Sequence, residues 1–278
     1  MYLNDIRQNV RDVHEKILGL CAGLATPRAK LLVIHVGSED DPSERYLRSK
    51  VKAGERCNID VEIRRFPLDT ATTEDLVSAI RNAKDSVDGI IVQLPVPKRI
   101  NLQAVYAEIP PDLDVDGVTP ENVGRLSKGY DGMLPCTPRG IMTILDDHKI
   151  GVEGKHVVII GRSDIVGKPL AMMLTNRDAT VTLCHSKTGV INLMRLCRGA
   201  DIIVSAVGKP RWLTKDYVSD GTLVIDVGIN VENGKVVGDV DPSVAEIADV
   251  TPVPNGVGLT TVLSLMQNTL ESRLKRAR

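Results

Sequence analysis

HVVIIGRSDIVGKP, residues 156–169, joins a short β-branched run to a glycine turn and the start of a helix. A near-continuous apolar strand feeding a helix is the pattern of a parallel sheet buried on both faces. Gly161 allows the backbone to approach a ligand at the strand's carboxyl end, and Gly167 allows the helix to pack tightly on the strand. The free amides of that helix N-terminus suit a pyrophosphate. The segment is not a P-loop, because five residues separate the glycines and Pro169 follows Lys168. Nor is it the usual GxGxxG, since Ser163 stands where the second glycine belongs. On these residues alone an ordinary βα turn fits as well as a dinucleotide site.

Working outward, similar runs recur: LLVIHV (31–36), VEIRRF (61–66), GIIVQL (89–94), TVTLCH (180–185), DIIVSAV (201–207) and TLVIDVG (222–228). Between them the periodicity predicts helices over 6–20, 43–57, 73–84, 139–147, 167–176, 191–197 and 260–275. Strands alternating with helices give an α/β class with parallel sheets. Residues 95–138 break the pattern with PVPKR, IPPDLDVDGVTPENVG and DGMLPCTPRG. We read this stretch as loops crossing between two α/β lobes and facing a cleft, where pockets tend to form.

Composition narrows the function. The chain has 278 residues, a net charge of −1 and a pI near 6.5, so it lacks the field that gathers phosphate backbones. Phe66, Trp212 and five tyrosines are its only aromatics, too few for stacking on single strands, and no nucleic-acid partner is expected. No apolar run approaches the ~18 residues of a membrane helix, and the charged start MYLNDIRQNVRDVHEK is unlike a signal peptide. A cytoplasmic protein without a membrane partner is expected. Cys21, Cys57, Cys136, Cys184 and Cys197 lack CxxC spacing and read as buried thiols; the histidines are scattered, so no metal is expected.

Two regions carry candidate chemistry. About twenty residues past Gly161, where an NAD site places an acid, the chain has Cys184-His185-Ser186-Lys187-Thr188. With Arg162 and Ser163 these offer a cation and hydroxyls to a 2′-phosphate, favouring NADP over NAD; a plain polar loop is the alternative. His185 reads as a local hydrogen-bonding residue. In the first lobe, Tyr46 and Lys50 are four apart on one helix face. Lysine becomes useful when burial lowers its pKa or when it donates to a polarised substrate, although a solvated lysine has the same spacing. Gln93 ends a buried strand, and Asp114-Val-Asp116-Gly117 places two acids at a turn that also suits simple capping.

Taken together, YLRSK, VQLPVP, DVDG, GRSDIVGKP, TVTLCHSKT, ADIIVSAVGKP, VIDVGIN and TPVPNGVG resemble the bifunctional methylenetetrahydrofolate dehydrogenase/methenyltetrahydrofolate cyclohydrolase family, from about residue 29 onward. The resemblance implies NADP-dependent oxidation of 5,10-methylenetetrahydrofolate to the methenyl cation, then its hydrolysis to 10-formyltetrahydrofolate. It implies that Lys50 is the catalytic lysine, that Tyr46 packs on the folate ring, that Gln93 positions Lys50 and that Asp116 pairs with the pterin. Pro254, Gly256 and Val257, in the C-terminal loop, would join the folate site. Gly161, Arg162, Ser163 and Ser186 would hold NADP, Ile229 would lie against the nicotinamide, and Thr137 with Cys136 would sit near the hydride-transfer point. It further implies a homodimer. The expected architecture is an α/β lobe over 1–138, completed by 259–278, and a Rossmann-like lobe over 139–258, with the folate in the cleft.

The chain departs from the family's pattern in four places. It lacks the Asp-Gly-Lys opening segment. Leu113 replaces the lysine before the acidic motif, and about two residues are added near Gly189-Val190. The loop reads Pro254-Asn255-Gly256-Val257-Gly258-Leu259-Thr260-Thr261 where Pro-Gly-Gly-Val-Gly-Pro-Met-Thr is usual. Asn255 tolerates left-handed angles and Thr260 is expected to cap the last helix. Two rivals remain at this point: an NADP dehydrogenase for another small substrate, and a degenerate member that only binds folate or NADP.

Overall fold

The computed structural model describes residues 28–276 apart from 40–42, together with residues 12, 13, 15, 16, 18 and 19. Cys21, His14, Tyr2 and most of the helix expected over 6–20 lie outside the described residues. The chain divides into two units, one comprising Lys16–Cys136 with Val262–Arg278 and the other containing Thr137–Thr261.

The first unit is built on β1 (Ala29–Val36), β2 (Ile59–Phe66) and β3 (Gly89–Gln93), a parallel sheet in the order β2–β1–β3. β1 is central and buried at every position except Lys30, which explains its unbroken apolar run. Its register sets His35 opposite both Arg65 and Gln93, so these three side-by-side positions form the sheet's carboxyl edge. The crossovers are α1 (Glu44–Arg56) and α2 (Thr73–Ala83). Thr72 and Asp75 form a capping box that fixes the start of α2.

The stretch expected to be loops contains two short helices, α3 (Leu102–Glu108) and α4 (Pro120–Ser127). Seven and eight residues are too few for a clear 3.6-residue period. Their signal was in the caps instead: Asn101 accepts from the amide of Ala104, and Thr119 precedes a proline at the first helical position. Leu113, which replaces a lysine in the family pattern, is 1% exposed and belongs to the core with Leu32, Ile90, Val105 and Ile109.

In the second unit, α5 (Cys136–Asp147) leads to β4 (His156–Ile160), α6 (Gly167–Thr175), β5 (Thr180–Cys184), α7 (Val190–Arg198), β6 (Ile202–Ser205) and β7 (Leu223–Asp226). A hairpin of β8 (Asn230–Glu232) and β9 (Lys235–Val237) precedes β10 (Asp249–Val250); the last helix, α8 (Val257–Arg276), starts in this unit and from Val262 belongs to the first. The main sheet is parallel with order β10–β7–β6–β4–β5. The chain leaves β4 to one side for β5 and returns on the other for β6. The carboxyl end of β4 is therefore the topological switch point, where open α/β sheets bind ligands. The hairpin was not anticipated, although Asn233-Gly234 announced it: both have positive φ, as a type I′ turn requires.

Both glycines of the opening segment are demanded by the protein itself. Gly161 has φ +127°, and a Cβ there would lie 2.2 Å from the carbonyl oxygen of Ala206. A Cβ on Gly167 would lie 1.8 Å from the carbonyl oxygen of Gly161. The close approach at Gly161 is thus also to the neighbouring β6 loop, so the protein requires this glycine whether or not a ligand does. α8 begins three residues before the predicted start, so Thr260 is not its cap. Thr260 is buried inside the first turn, where its hydroxyl donates to the carbonyl of Val257 at 2.8 Å. Asn255 does adopt φ +74°, the left-handed conformation anticipated for it.

Leu113→Lys, restoring the residue usual in the family, is expected to bury a charge in the first core and to destabilise the chain by roughly 2–4 kcal/mol in denaturant unfolding. An unchanged midpoint would show that this position opens to solvent.

Candidate active site

α1 forms because its apolar positions, Leu47, Ala53 and Gly54, recur on one face while charged residues occupy the other. Lys50 lies one turn beyond Leu47 and one turn before Gly54, at the margin of the buried face. Its Nζ donates to Gln93 Oε1 at 2.6 Å. Gln93 is the last residue of β3, and its Nε2 donates to the carbonyl of Leu94 at 2.7 Å. The amide nitrogen is thereby occupied, and the carbonyl oxygen is directed at the lysine. Tyr46, one turn earlier on α1, is 39% exposed, which leaves its ring free to meet a ligand.

The two acids of the DVDG turn have separated roles. Asp114 is fully buried and accepts from the amides of Val118 (3.2 Å) and Thr119 (2.8 Å) and from Asn122 Nδ2 (2.9 Å). It is the capped-turn residue. Asp116 instead faces Lys50 electrostatically and hydrogen-bonds the Cys136 thiol. Burial holds the Lys50 ammonium below the ordinary lysine range, while the Asp116 carboxylate, and after it Cys136, pull it back up. Burial pushes the Asp116 carboxyl up, the charge of Asp114 adds to this, and Lys50 and the Cys136 hydrogen bond oppose it.

Cys136, which the resemblance sets near the hydride-transfer point, interacts with Asp116 and Lys50, and its thiol donates to the carbonyl of Val115 at 3.2 Å. Asn268 of α8 was missed altogether. It is fully buried, and its Nδ2 donates to the carbonyls of Val115 (2.7 Å) and Leu134 (2.9 Å), so it ties the acidic turn to the segment leading into Cys136. No local pattern could have found it, because its partners are more than 130 residues away.

In the second unit, Gly161, Arg162 and Ser163 follow β4 at the switch point. Arg162 is exposed, and Ser163 Oγ accepts from the amides of Val166 (3.2 Å) and Gly167 (3.4 Å) and so shapes the turn into α6. Ser186 is exposed after β5, in a turn closed by the amide of Thr188 to the carbonyl of His185 at 2.8 Å. His185 Nδ1 accepts from the amide of Lys187 at 3.1 Å, the local role expected of it. An unobstructed cation, a hydroxyl turn and a helix N-terminus at the carboxyl ends of β4 and β5 form a set suited to a dinucleotide's phosphates.

Ile229, after β7, is 42% exposed, which is unusual for isoleucine and suits a flat apolar ligand face. Its Cδ1 lies 3.1 Å from the Cβ position of Gly258, so the structure brings Ile229 beside the C-terminal loop. In that loop Pro254 is exposed, whereas Gly256 and Val257 are buried and can offer only backbone groups to a ligand. Thr137, on α5, accepts from or donates to Thr261 Oγ1 at 3.1 Å. Among the described residues, no group of three or more His, Cys, Asp or Glu could hold a metal ion, and no helix is long and apolar enough to cross a membrane.

Models of the tetrahydrofolate dehydrogenase/cyclohydrolase family match both parts of the chain, the catalytic domain over residues 2–116 and the NAD(P)-binding domain over residues 135–277. The chain belongs to this family. The match begins well upstream of residue 29, where the recognisable motifs started. Among curated relatives, the bifunctional protein FolD of Bacillus cytotoxicus is 49% identical over 252 residues, 89% of this chain and 86% of that one. Among solved structures, the bifunctional enzyme FolD of Campylobacter jejuni superposes with a TM-score of 0.90 at 41% identity, covering 98% of each chain. The methylenetetrahydrofolate dehydrogenase-cyclohydrolase of Trypanosoma brucei, solved with NADP cofactor and an inhibitor, gives 0.88 at 32% identity, covering 99% of this chain and 97% of that one. As a family member the chain is α/β, with a Rossmann-like NAD(P)-binding domain.

Because the Asp116 charge supports the Lys50 ammonium, Asp116→Asn is expected to move Lys50's titration to still lower pH. NMR titration of chain labelled at lysine side-chain carbons checks this; an unmoved or raised Lys50 midpoint would contradict the arrangement.

Proposed function

We propose that this chain oxidises 5,10-methylenetetrahydrofolate to the methenyl cation with NADP and hydrolyses that cation to 10-formyltetrahydrofolate. The observation that carries the reading is the Lys50–Gln93 hydrogen bond, with a desolvated lysine facing Asp116 in the part matched by the family's catalytic domain.

The oxidation removes a hydride from the methylene bridge, driven by a neighbouring nitrogen lone pair, and asks the chain for alignment more than for proton transfer. Tyr46 supplies a ring against the folate, and Asp116 a carboxylate for its pterin. Pro254, with the backbone of Gly256 and Val257, borders the folate site. NADP, when bound, supplies the hydride acceptor. Arg162, Ser163 and Ser186 would hold its phosphates beside Gly161, and Ile229 and Thr137 would serve its nicotinamide. The exposed Arg162 and Ser186, without an acid at the end of β5, support NADP over NAD.

The hydrolysis needs proton management. Water adds to the amidinium carbon and loses one proton, and the departing nitrogen must receive one. Burial brings Lys50's proton affinity closer to neutrality, where an acid–base group works best. In its unprotonated form, which burial favours, Lys50 takes the proton from the attacking water, and its ammonium returns it to the nitrogen as the carbon–nitrogen bond breaks. The second proton of the water leaves as the formyl carbonyl forms. This reading places the folate lobe over 1–138 with 259–278 and the nucleotide lobe over 139–258, in a cytoplasmic homodimer.

Lys50→Met is expected to reduce methenyltetrahydrofolate hydrolysis at least a hundredfold, the lower range of general acid–base contributions, while NADP binding is retained. Decay of the methenyl absorbance measures the first and nucleotide titration the second. Hydrolysis at the wild-type rate would overturn the assignment of Lys50.

A further inference from the structure

Asp239 lies just past the hairpin, fully buried, and no motif of the sequence singled it out. Its Oδ2 accepts from the amides of Val207 (2.8 Å) and Gly208 (3.2 Å) and from Ser205 Oγ (3.2 Å). Its Oδ1 accepts from the amide of Lys209 (2.9 Å) and from Asn230 Nδ2 (3.0 Å). The donors come from two separate stretches, the end of β6 with the loop that leaves it and Asn230, which opens β8 after the loop that leaves β7. Both are at the carboxyl ends of parallel strands, where this class of sheet receives its ligand.

A second acid locks the arrangement. Asp226, at the end of β7, accepts from the amides of Gly228 (3.0 Å), Asp239 (2.9 Å) and Val240 (3.0 Å). Each carboxylate fills the space a side chain would need: a Cβ on Gly228 would lie 2.1 Å from Asp239 Oδ1, and one on Gly238 would lie 1.9 Å from Asp226 Oδ2. The glycines of VGIN and VVGDVD are therefore the two halves of one clasp. Charge-assisted bonds to a buried carboxylate are about twice as strong as neutral ones. Five of them converging on one group leave the two loops little freedom to move apart.

We propose that Asp239 is a positioning residue for the nucleotide cofactor: by clasping the 205–209 loop to Asn230 it sets the stance of Ile229 and of the β6 loop before the cofactor arrives. The proposal rests on the NADP reading above. Asp239 is covered on all sides, so it acts through the loops it holds. Its removal therefore weakens cofactor binding, whereas hydrolysis, which consumes no cofactor, reports whether the fold is intact. A built-in probe exists as well. Trp212, the sole tryptophan, donates from Nε1 to Ser205 Oγ at 3.1 Å, and Ser205 in turn donates to Asp239.

The test uses the full chain with Asp239→Asn, which keeps the shape but turns an acceptor into a donor, and Asn230→Ala, which removes one of the five donors. Dehydrogenase rates against NADP concentration, cofactor-free hydrolysis of the methenyl substrate and Trp212 fluorescence during NADP titration are measured for each. Asp239→Asn is expected to raise KM for NADP roughly tenfold, with a smaller change in kcat, and to shift Trp212 emission before any NADP is added. Asn230→Ala is expected to raise KM roughly threefold. A wild-type KM in Asp239→Asn overturns the proposal. Where Asp239→Asn loses hydrolysis as well, having failed to fold, Asn230→Ala decides, and an unchanged KM there overturns it. A wild-type chain that neither binds nor reduces NADP would overturn the cofactor reading itself, which is distinguishable from either variant result.

Discussion

A lysine taken out of water needs a partner that does not cancel its reactivity, and the first unit is arranged around that requirement. Lys50 is desolvated because α1 must bury Leu47, Ala53 and Gly54, and its position between them carries its stem inward. A carboxylate in direct contact would hold the ammonium firmly charged. The contact is instead the neutral carbonyl of Gln93, with the charge of Asp116 as a second influence. That contact depends on register. β3 pairs with β1 over five positions ending at His35–Gln93, and a slip of one residue would turn Gln93 to the opposite face of the sheet. Core packing along Leu32, Ile34, Ile90 and Val92 forbids the slip, so hydrophobic burial far from the site aims the amide.

The strands were legible in the sequence because parallel sheets covered on both faces leave unbroken β-branched runs, and all seven appear within a residue or two of their expected limits. Lys50, Gln93 and Asp116 were legible as members of motifs, and the structure brings those three into one electrostatic group. Elements whose signal is local but short were not seen. α3 and α4 lack the length for periodicity, and the hairpin depended on weighing a single Asn-Gly pair. Asn268 and Asp239 were out of reach for a different reason. Their meaning lies in partners brought near only by the fold, and nothing in their own neighbourhood marks a buried amide or carboxylate as a clamp.

The buried acids show what separates a structural carboxylate from one available for chemistry. Asp114 and Asp239 have their oxygens taken up by turn amides and by amide or hydroxyl side chains, none of which changes protonation under ordinary conditions. Asp226 also accepts from three amides, but burial outweighs them and, with the nearby charge of Asp239, leaves its carboxyl above the usual range. Asp116 differs. Its favourable partners are a lysine and a thiol, both titratable, and its unfavourable neighbour is the charge of Asp114 two residues away. Its proton affinity therefore follows the state of Lys50, and that of Lys50 follows Asp116. Two residues of one short turn thus divide the work. Asp114 spends its hydrogen-bonding capacity on holding the backbone, and that frees Asp116 to respond to the group opposite it.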